Sequence, residues 1–203
     1  FLRHLTEADA WASLVQALPY RDYFSGVGLD SSEVGNPPEK FARVFAHCKD
    51  LGLRRVAHAG EEGPPAYIWG ALDQLHAERI DHGVQAVHDA ALMQRLAAER
   101  IPLTVCPLSN QKLQVFPDLA DHTMAQLLAA GLVATVNSDD PAYFGGYIND
   151  NFVQLFAATG LDSAAAYQLA ANSFEASFVP QARKDQWLGQ LQQCFDAAAR
   201  QAQ

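Results

Sequence analysis

The chain has 203 residues, a length that is enough for one domain with a substantial core. Hydrophobic residues make up 49% of it and charged residues 18%, which is typical of a globular chain and not of a disordered one. The net charge of −9, without basic runs, argues against binding to nucleic acid or to an anionic membrane surface. No apolar run reaches the ~18 residues of a transmembrane helix.

Cysteine usage and the first residue bear on the cellular setting. Cys48, Cys106 and Cys194 are widely separated and show no Cys-x-x-Cys spacing, which favours a reducing, cytoplasmic location. The chain starts at Phe1 without a methionine or a signal peptide, which predicts a fragment or a processed protein. No change in composition marks a second domain, so residues 1–203 are predicted to form a single domain.

Strand-like apolar runs alternate with segments of helical spacing along the chain. Pro19 ends the first predicted helix, and Pro107–Asn110 is predicted to be the exit loop of the fourth strand. The predicted strands cover 23–29, 53–57, 79–83, 101–106 and 132–136, and the predicted helices cover 8–18, 38–51, 65–76, 89–99, 123–130, 148–158, 163–176 and 181–202.

The predicted strands end at polar or reactive residues, namely Asp30, His58, His82, Cys106 and Asp139. Their spacing is close to the length of a βα unit, and strands that alternate with helices imply a parallel sheet. The carboxyl ends of parallel strands form the active sites of (β/α)8 barrels and of open doubly wound sheets. Five units are too few for a closed eight-stranded barrel, and no glycine-rich phosphate loop follows any strand.

His58 and Glu61 are the first candidate site residues. A histidine at a strand end, beside small residues and three positions before a carboxylate, can place a metal ligand next to a general acid/base. The neighbouring Glu62 is better interpreted as a solvated loop acid, because the chemistry needs only one carboxylate.

His82 and the pair Asp139-Asp140 complete the candidate set. His82 ends the next strand and can stabilise a developing hydroxide or oxyanion. Adjacent side chains at a strand end diverge, so one aspartate can bind a metal while the other faces a substrate. Without a cation, both carboxylates are expected to be exposed or to cap a helix, because burying them is costly.

These motifs together resemble the adenosine/adenine deaminase family, zinc-dependent (β/α)8 hydrolases of the amidohydrolase type. They occur in the order of that family at successive strand ends, and residues 28–38 and 140–147 look most like the adenine deaminases. The four motifs are His58-Ala59-Gly60-Glu61, Arg79-Ile80-Asp81-His82-Gly83, Cys106-Pro107-Leu108-Ser109-Asn110 and Asn137-Ser138-Asp139-Asp140-Pro141.

The resemblance implies a role for each candidate residue. His58 and Asp139 would be ligands of one zinc ion, and Glu61 would shuttle a proton to purine N1. His82 would orient or stabilise the attacking hydroxide, and Asp140 would hold purine N7. The implied function is hydrolytic deamination of adenine to hypoxanthine and ammonia in purine salvage. A pocket closed by Ser31–Glu33 and Tyr143–Tyr147 is expected to exclude ribose.

One departure from the family pattern is serious. The family uses a His-x-His pair on its first barrel strand as two further zinc ligands, and no such pair occurs in these 203 residues. The implied fold is therefore α/β, the C-terminal five βα units of a (β/α)8 TIM barrel followed by C-terminal helices. Alone, the chain is expected to bind zinc weakly and to be inactive.

Several alternatives stay open from the sequence. The substrate could be adenosine or an N6-substituted adenine, and the chain could be a non-catalytic fragment that has kept its motifs. A mixed His/Asp site also accepts metals other than zinc. The expected partner is a small purine, with no nucleic acid or membrane, and a missing N-terminal segment or a homo-oligomer is left open.

Overall fold

A computed structural model describes residues 1–201 of the chain. The chain divides into two compact units, one formed by residues 1–104 and the other starting at Val105. The prediction of a single domain over residues 1–203 stays a prediction. Within the described residues, no helix is both long enough and apolar enough to cross a bilayer.

The first unit alternates helices with strands, as the sequence predicted. Its α-helices are α1 (Glu7–Ala17), α2 (Ala42–Asp50), α3 (Pro65–Asp73) and α4 (Ala90–Ala98), and its strands are β1 (Gly26–Leu29), β2 (Arg54–Ala59), β3 (Arg79–His82) and the start of β4 (Leu103–Val105). Three short 3₁₀ helices cover Leu18–Tyr23, Pro38–Phe41 and Val84–His88.

The strands of this unit pair in parallel and in chain order. Ala59 is in register with His82, and Asp81 is in register with Thr104. Helices α2 and α3 pack on β2, where Ala57 and Ala59 are fully buried. Because neighbouring parallel strands end at the same edge of the sheet, this register brings the ends of β2 and β3 side by side.

The second unit contains the end of β4, one more strand and six of the ten α-helices of the described residues. They are α5 (Pro107–Lys112), a 3₁₀ helix (Leu119–Asp121), α6 (Met124–Ala129), β5 (Ala134–Val136), α7 (Pro141–Phe144), α8 (Ile148–Thr159), α9 (Ser163–Glu175) and α10 (Gln181–Gln201). The Asn137 N–H donates to the Val105 carbonyl at 2.8 Å, so β5 follows β4. The buried Asn172 side chain holds α9 against β5 by donating to the Ala134 carbonyl at 2.8 Å.

Several predicted boundaries differ from the structure, three of them in ways that bear on the candidate site or on the start of the sheet. The strand predicted from Tyr23 begins only at Gly26, because Pro19 opens a 3₁₀ helix that continues to Tyr23. The exit loop predicted at Pro107–Asn110 is helical, since proline suits the first turn of a helix. Strand β2 extends through His58 and Ala59, and the predicted helix end at Ala202 lies outside the described residues.

Candidate active site

Three of the predicted site residues meet at the ends of β2 and β3. The imidazole rings of His58 and His82 are 4.8 Å apart between centroids and cross at 73°. Glu61 Oε1 lies 3.2 Å from His82 Nδ1. One ligand atom from each of the three side chains lies within 4.8 Å of the others, so the cluster can hold a metal ion.

The backbone and burial of His82 are unusual for a histidine. Its φ is +67°, in the left-handed region that residues with a Cβ rarely adopt, and such conformations concentrate at functional sites. Burial, and secondarily the proximity of His58, lowers the pKa of His82 to about 3. The imidazole is therefore neutral at pH 7, which is the form that can bind a metal or accept a hydrogen bond.

The loop after β2 makes a close approach that only glycine permits. Gly60 has a φ of +70°, and a Cβ there would lie 2.4 Å from Ile68 Cδ1. The Gln85 N–H donates to the Gly60 carbonyl at 2.9 Å, and the Gln85 side chain donates to the Glu61 carbonyl at 3.1 Å. The backbone that presents Glu61 is thus fixed from the β3 side.

Two charged residues that sequence reasoning assigned elsewhere, or not at all, lie behind this loop. The sequence assigns Glu33 only to a segment that closes the substrate pocket, which stays a prediction; in the structure its side chain is buried and accepts hydrogen bonds from the loop amides of residues 60–63. Arg3 is fully buried and donates from Nη1 to the His58 carbonyl at 2.6 Å. Their contacts join segments far apart in the chain, and no local pattern indicates them.

The second unit places its own candidate residues on an exposed turn. Asp139 and Asp140 lie three and four residues after the end of β5 and are both exposed, and Asp139 has a φ of +56°. The Asp140 carboxylate caps α7 by accepting from the Ala142 and Tyr143 amides at 3.1 and 3.2 Å. The roles of Asp139 toward a metal and of Asp140 toward a substrate stay predictions.

Comparison with known proteins extends these observations. The sequence profile of the family "Adenosine deaminase" matches residues 1–194. An adenine deaminase of Albidiferax ferrireducens is 67% identical, over 97% of this chain and 57% of its own length. An adenine deaminase of Trichlorobacter lovleyi is 65% identical, over 96% of this chain and 56% of its own length.

Solved structures agree in fold. The crystal structure of an adenine deaminase from Arthrobacter aurescens superposes with a TM-score of 0.94 at 50% identity, covering 97% of this chain and 60% of that one. A zinc-bound amidohydrolase from Burkholderia ambifaria superposes with a TM-score of 0.91 at 28% identity, covering 99% and 57%. The chain thus spans little more than half the length of the relatives it matches.

The fold class predicted from the sequence is confirmed, with five βα units of the (β/α)8 type followed by helices. The profile match over residues 1–194 and the two-thirds identity to adenine deaminases lead to the same assignment. The chain belongs to the adenosine deaminase family.

Proposed function

We propose that the protein hydrolyses adenine to hypoxanthine and ammonia. The observation that supports this most strongly is the cluster of His58, Glu61 and His82, in which Glu61 Oε1 lies 3.2 Å from His82 Nδ1. Relatives that are 67% and 65% identical carry the name adenine deaminase. Purine salvage in a reducing cytoplasm is part of the proposal, and the free thiols of Cys48 and Cys194 are consistent with it.

The reaction needs a carboxylate that both takes and gives protons. The oxygen of water bonds to C6 of adenine while one proton reaches N1. The proton of the new C6 hydroxyl then passes to the amino nitrogen, the C6–N bond breaks, and ammonia leaves. Glu61 is proposed to carry both protons, since it projects from a loop that is fixed on two sides.

His82 is proposed to orient the attacking water. A histidine with a pKa near 3 is neutral at pH 7 and can accept a hydrogen bond from that water. The imidazole is held by its burial and by the β3 backbone, so its direction is set before substrate binds. A positively charged histidine could not act as this acceptor.

The metal is proposed to be one zinc ion, with His58 and Asp139 as the ligands that the family resemblance implies. Zinc, when bound, supplies the Lewis acidity that generates hydroxide from water near neutral pH. Imidazole and carboxylate groups are common zinc ligands, and a related amidohydrolase binds zinc. No His-x-His pair occurs among the 203 residues, so two further ligands are proposed to come from outside them. Asp140 is proposed to bind purine N7.

The experiment compares two adjacent glutamates in the full-length protein. Glu61→Gln should lower kcat for adenine by about 10³-fold, because general acid/base groups contribute about 10²–10⁴-fold. Glu62→Gln is the matched control, since the Glu62 side chain is exposed and one position away, and it should retain kcat. Ammonia release is measured with adenine, adenosine and N6-methyladenine, and metal content is measured for each variant.

Two results would contradict the proposal. Faster turnover of adenosine or N6-methyladenine than of adenine would assign a different substrate. If the metal-loaded wild-type protein releases no ammonia from adenine, adenosine or N6-methyladenine, the protein is a non-catalytic member of the family.

A further inference from the structure

The buried carboxylate of Glu33 is surrounded by backbone amides. Its side chain is only 3% exposed. Oε1 accepts from the Gly60 N–H at 2.6 Å, and Oε2 accepts from the N–H groups of Glu61, Glu62 and Gly63 at 3.0, 2.9 and 2.9 Å. Four successive amides therefore point at one carboxylate, and they belong to the loop that presents Glu61.

Arg3 balances this buried charge and extends the contact to the end of β2. Its Nη1 lies 3.9 Å from Glu33 Oε1 and donates to the His58 carbonyl at 2.6 Å, while Nε donates to the Asn36 carbonyl at 2.9 Å. The guanidinium also lies over the Tyr67 ring at 5.6 Å. Removing one member of a buried ion pair is strongly destabilising, so Glu33 and Arg3 depend on each other.

The fit between Glu33 and the loop is tight enough to require glycine. A Cβ at Gly63 would lie 2.8 Å from Glu33 Cδ and 2.7 Å from Tyr67 Cδ2. The four amides need an acceptor at every position, and a carboxylate has only acceptors. Each oxygen of Glu33 accepts from at least one loop N–H. In a glutamine at position 33, the side-chain NH₂ group replaces one of these oxygens and therefore faces a loop N–H in either orientation of the amide.

We propose that Glu33, backed by Arg3, is a positioning residue that holds the 60–63 loop so that Glu61 faces the reacting atoms. This rests on the function proposed above for Glu61. Glu33 itself does not touch the substrate. Its carboxylate fixes the backbone from which Glu61 projects, and Arg3 ties the same assembly to the carbonyl of His58.

The test uses Glu33→Gln in the full-length protein, with Glu7→Gln as the matched control. Glu7 also accepts two backbone amides, from Arg43 and Val44 at 2.9 and 3.0 Å, and pairs with the Arg43 side chain, but it serves α2 and not the loop. Glu33→Gln should lower kcat by about 10²-fold, the effect of displacing a catalytic group by about 1 Å, while KM changes less than about threefold. Glu7→Gln should retain kcat.

Hydrogen exchange supplies a readout that does not depend on activity. In Glu33→Gln, the amides of residues 60–63 should exchange at least about tenfold faster, because their common acceptor is weakened. In Glu7→Gln, exchange there should stay at the wild-type rate. If Glu33→Gln fails to fold, Arg3→Lys replaces it, since lysine keeps the charge but cannot reach both carbonyls with a planar fork; kcat should then fall about tenfold.

The outcomes separate this inference from the proposed function. A wild-type protein without deaminase activity contradicts the proposed function. Hydrogen exchange of the amides of residues 60–63 would still decide whether Glu33 holds the loop. Unchanged exchange at residues 60–63 in Glu33→Gln, or a kcat within twofold of wild type in an active enzyme, would overturn the positioning role. An equal loss of kcat in Glu7→Gln would overturn it as well.

Discussion

His122 is a buried imidazole in the second unit whose protonation opposes folding. Its ring packs on Phe116 with centroids 4.8 Å apart, and Nδ1 accepts from the Met124 N–H at 3.0 Å. Burial lowers its pKa to about 4. The side chain therefore stays neutral in the folded protein at pH values where an unfolded chain, with a histidine pKa near 6.5, binds a proton.

This difference makes stability fall as the pH is lowered. Neutral His122 costs the folded state nothing above pH ~6.5. Between pH ~6.5 and pH ~4 the free energy of unfolding falls, because the unfolded state binds a proton that the folded state does not. The total loss from this residue is about 3 kcal/mol. His122→Asn keeps an acceptor for the Met124 amide but does not titrate. Urea unfolding at pH 7.5, 5.5 and 4.5 should give a free energy of unfolding that falls more steeply in wild type than in His122→Asn. Parallel slopes would show that His122 does not titrate in this range.

The residues that the sequence identified share a local signal, and those it missed do not. His58 and His82 lie near the ends of strands β2 and β3, and Glu61 lies in the loop after β2, so their position at one edge could be predicted from parallel pairing. Glu33 and Arg3 stand in irregular segments, and their meeting with residues 58–63 depends on how separate parts of the chain fold together. Asp140 was open to a capping interpretation, and capping is what the structure contains.

The loop after β2 offers a test at the scale of one element. Gly60→Ala should place a methyl group 2.4 Å from Ile68 Cδ1 in addition to forcing alanine into the left-handed region. The backbone effect costs about 1–2 kcal/mol and the overpacking a further ~1–3 kcal/mol. Thermal or urea unfolding should show this loss, and kcat should fall because the loop must shift.

Gly52 provides the control for that substitution. It has a φ of +69°, nearly the value at Gly60, but a Cβ there would meet nothing within 4 Å. Gly52→Ala should therefore lower the free energy of unfolding by the backbone effect alone and retain kcat. An equal loss of unfolding free energy in the two variants would contradict this prediction. It would mean that Ile68 moves aside and that its contact with the new methyl group costs no stability.

All five strands were predictable from short stretches of apolar or β-tolerant residues that recur at the spacing of βα units, although β3 (Arg79–His82) is itself mostly polar. The ends of elements were less so. Sequence composition predicts an exit loop at Pro107, whereas this proline begins α5. The aromatic residues before Gly26 predict strand, whereas Pro19 opens a 3₁₀ helix that reaches Tyr23. In both places proline fixes φ at a value that suits the first turn of a helix, and that effect outweighs the strand propensity or loop composition of its neighbours.

At the scale of the whole molecule, the zinc site is proposed to need more than these 203 residues. The isolated chain should bind zinc more weakly than the full-length protein by more than about 10²-fold, because losing direct ligands costs more than losing their hydrogen-bond partners. It should also fail to deaminate adenine. Zinc titration with a competing chelator, paired with ammonia release, measures both quantities. Full turnover by the isolated chain with one bound zinc would contradict the prediction.

The fold of the whole chain followed from alternation of strands and helices, and its family from four short motifs. Neither depended on knowing the side-chain contacts. The alternation does not predict the contact between Glu33 and the 60–63 loop. Hydrogen bonds from four consecutive amides to a carboxylate about 30 residues away produce no periodic pattern in the sequence.

The close approach of Gly63 to Glu33 has a consequence for how this sequence can diverge. Any side chain at position 63 would occupy space now filled by the Glu33 carboxylate and the Tyr67 ring. A change at 63 is therefore tolerated only together with a shorter residue at 33, and a change at 33 leaves four amides that a substitution at 63 cannot satisfy. We therefore expect descendants of this chain to keep both residues, because a change at 63 requires a change at 33 and a change at 33 leaves the loop amides without their acceptor.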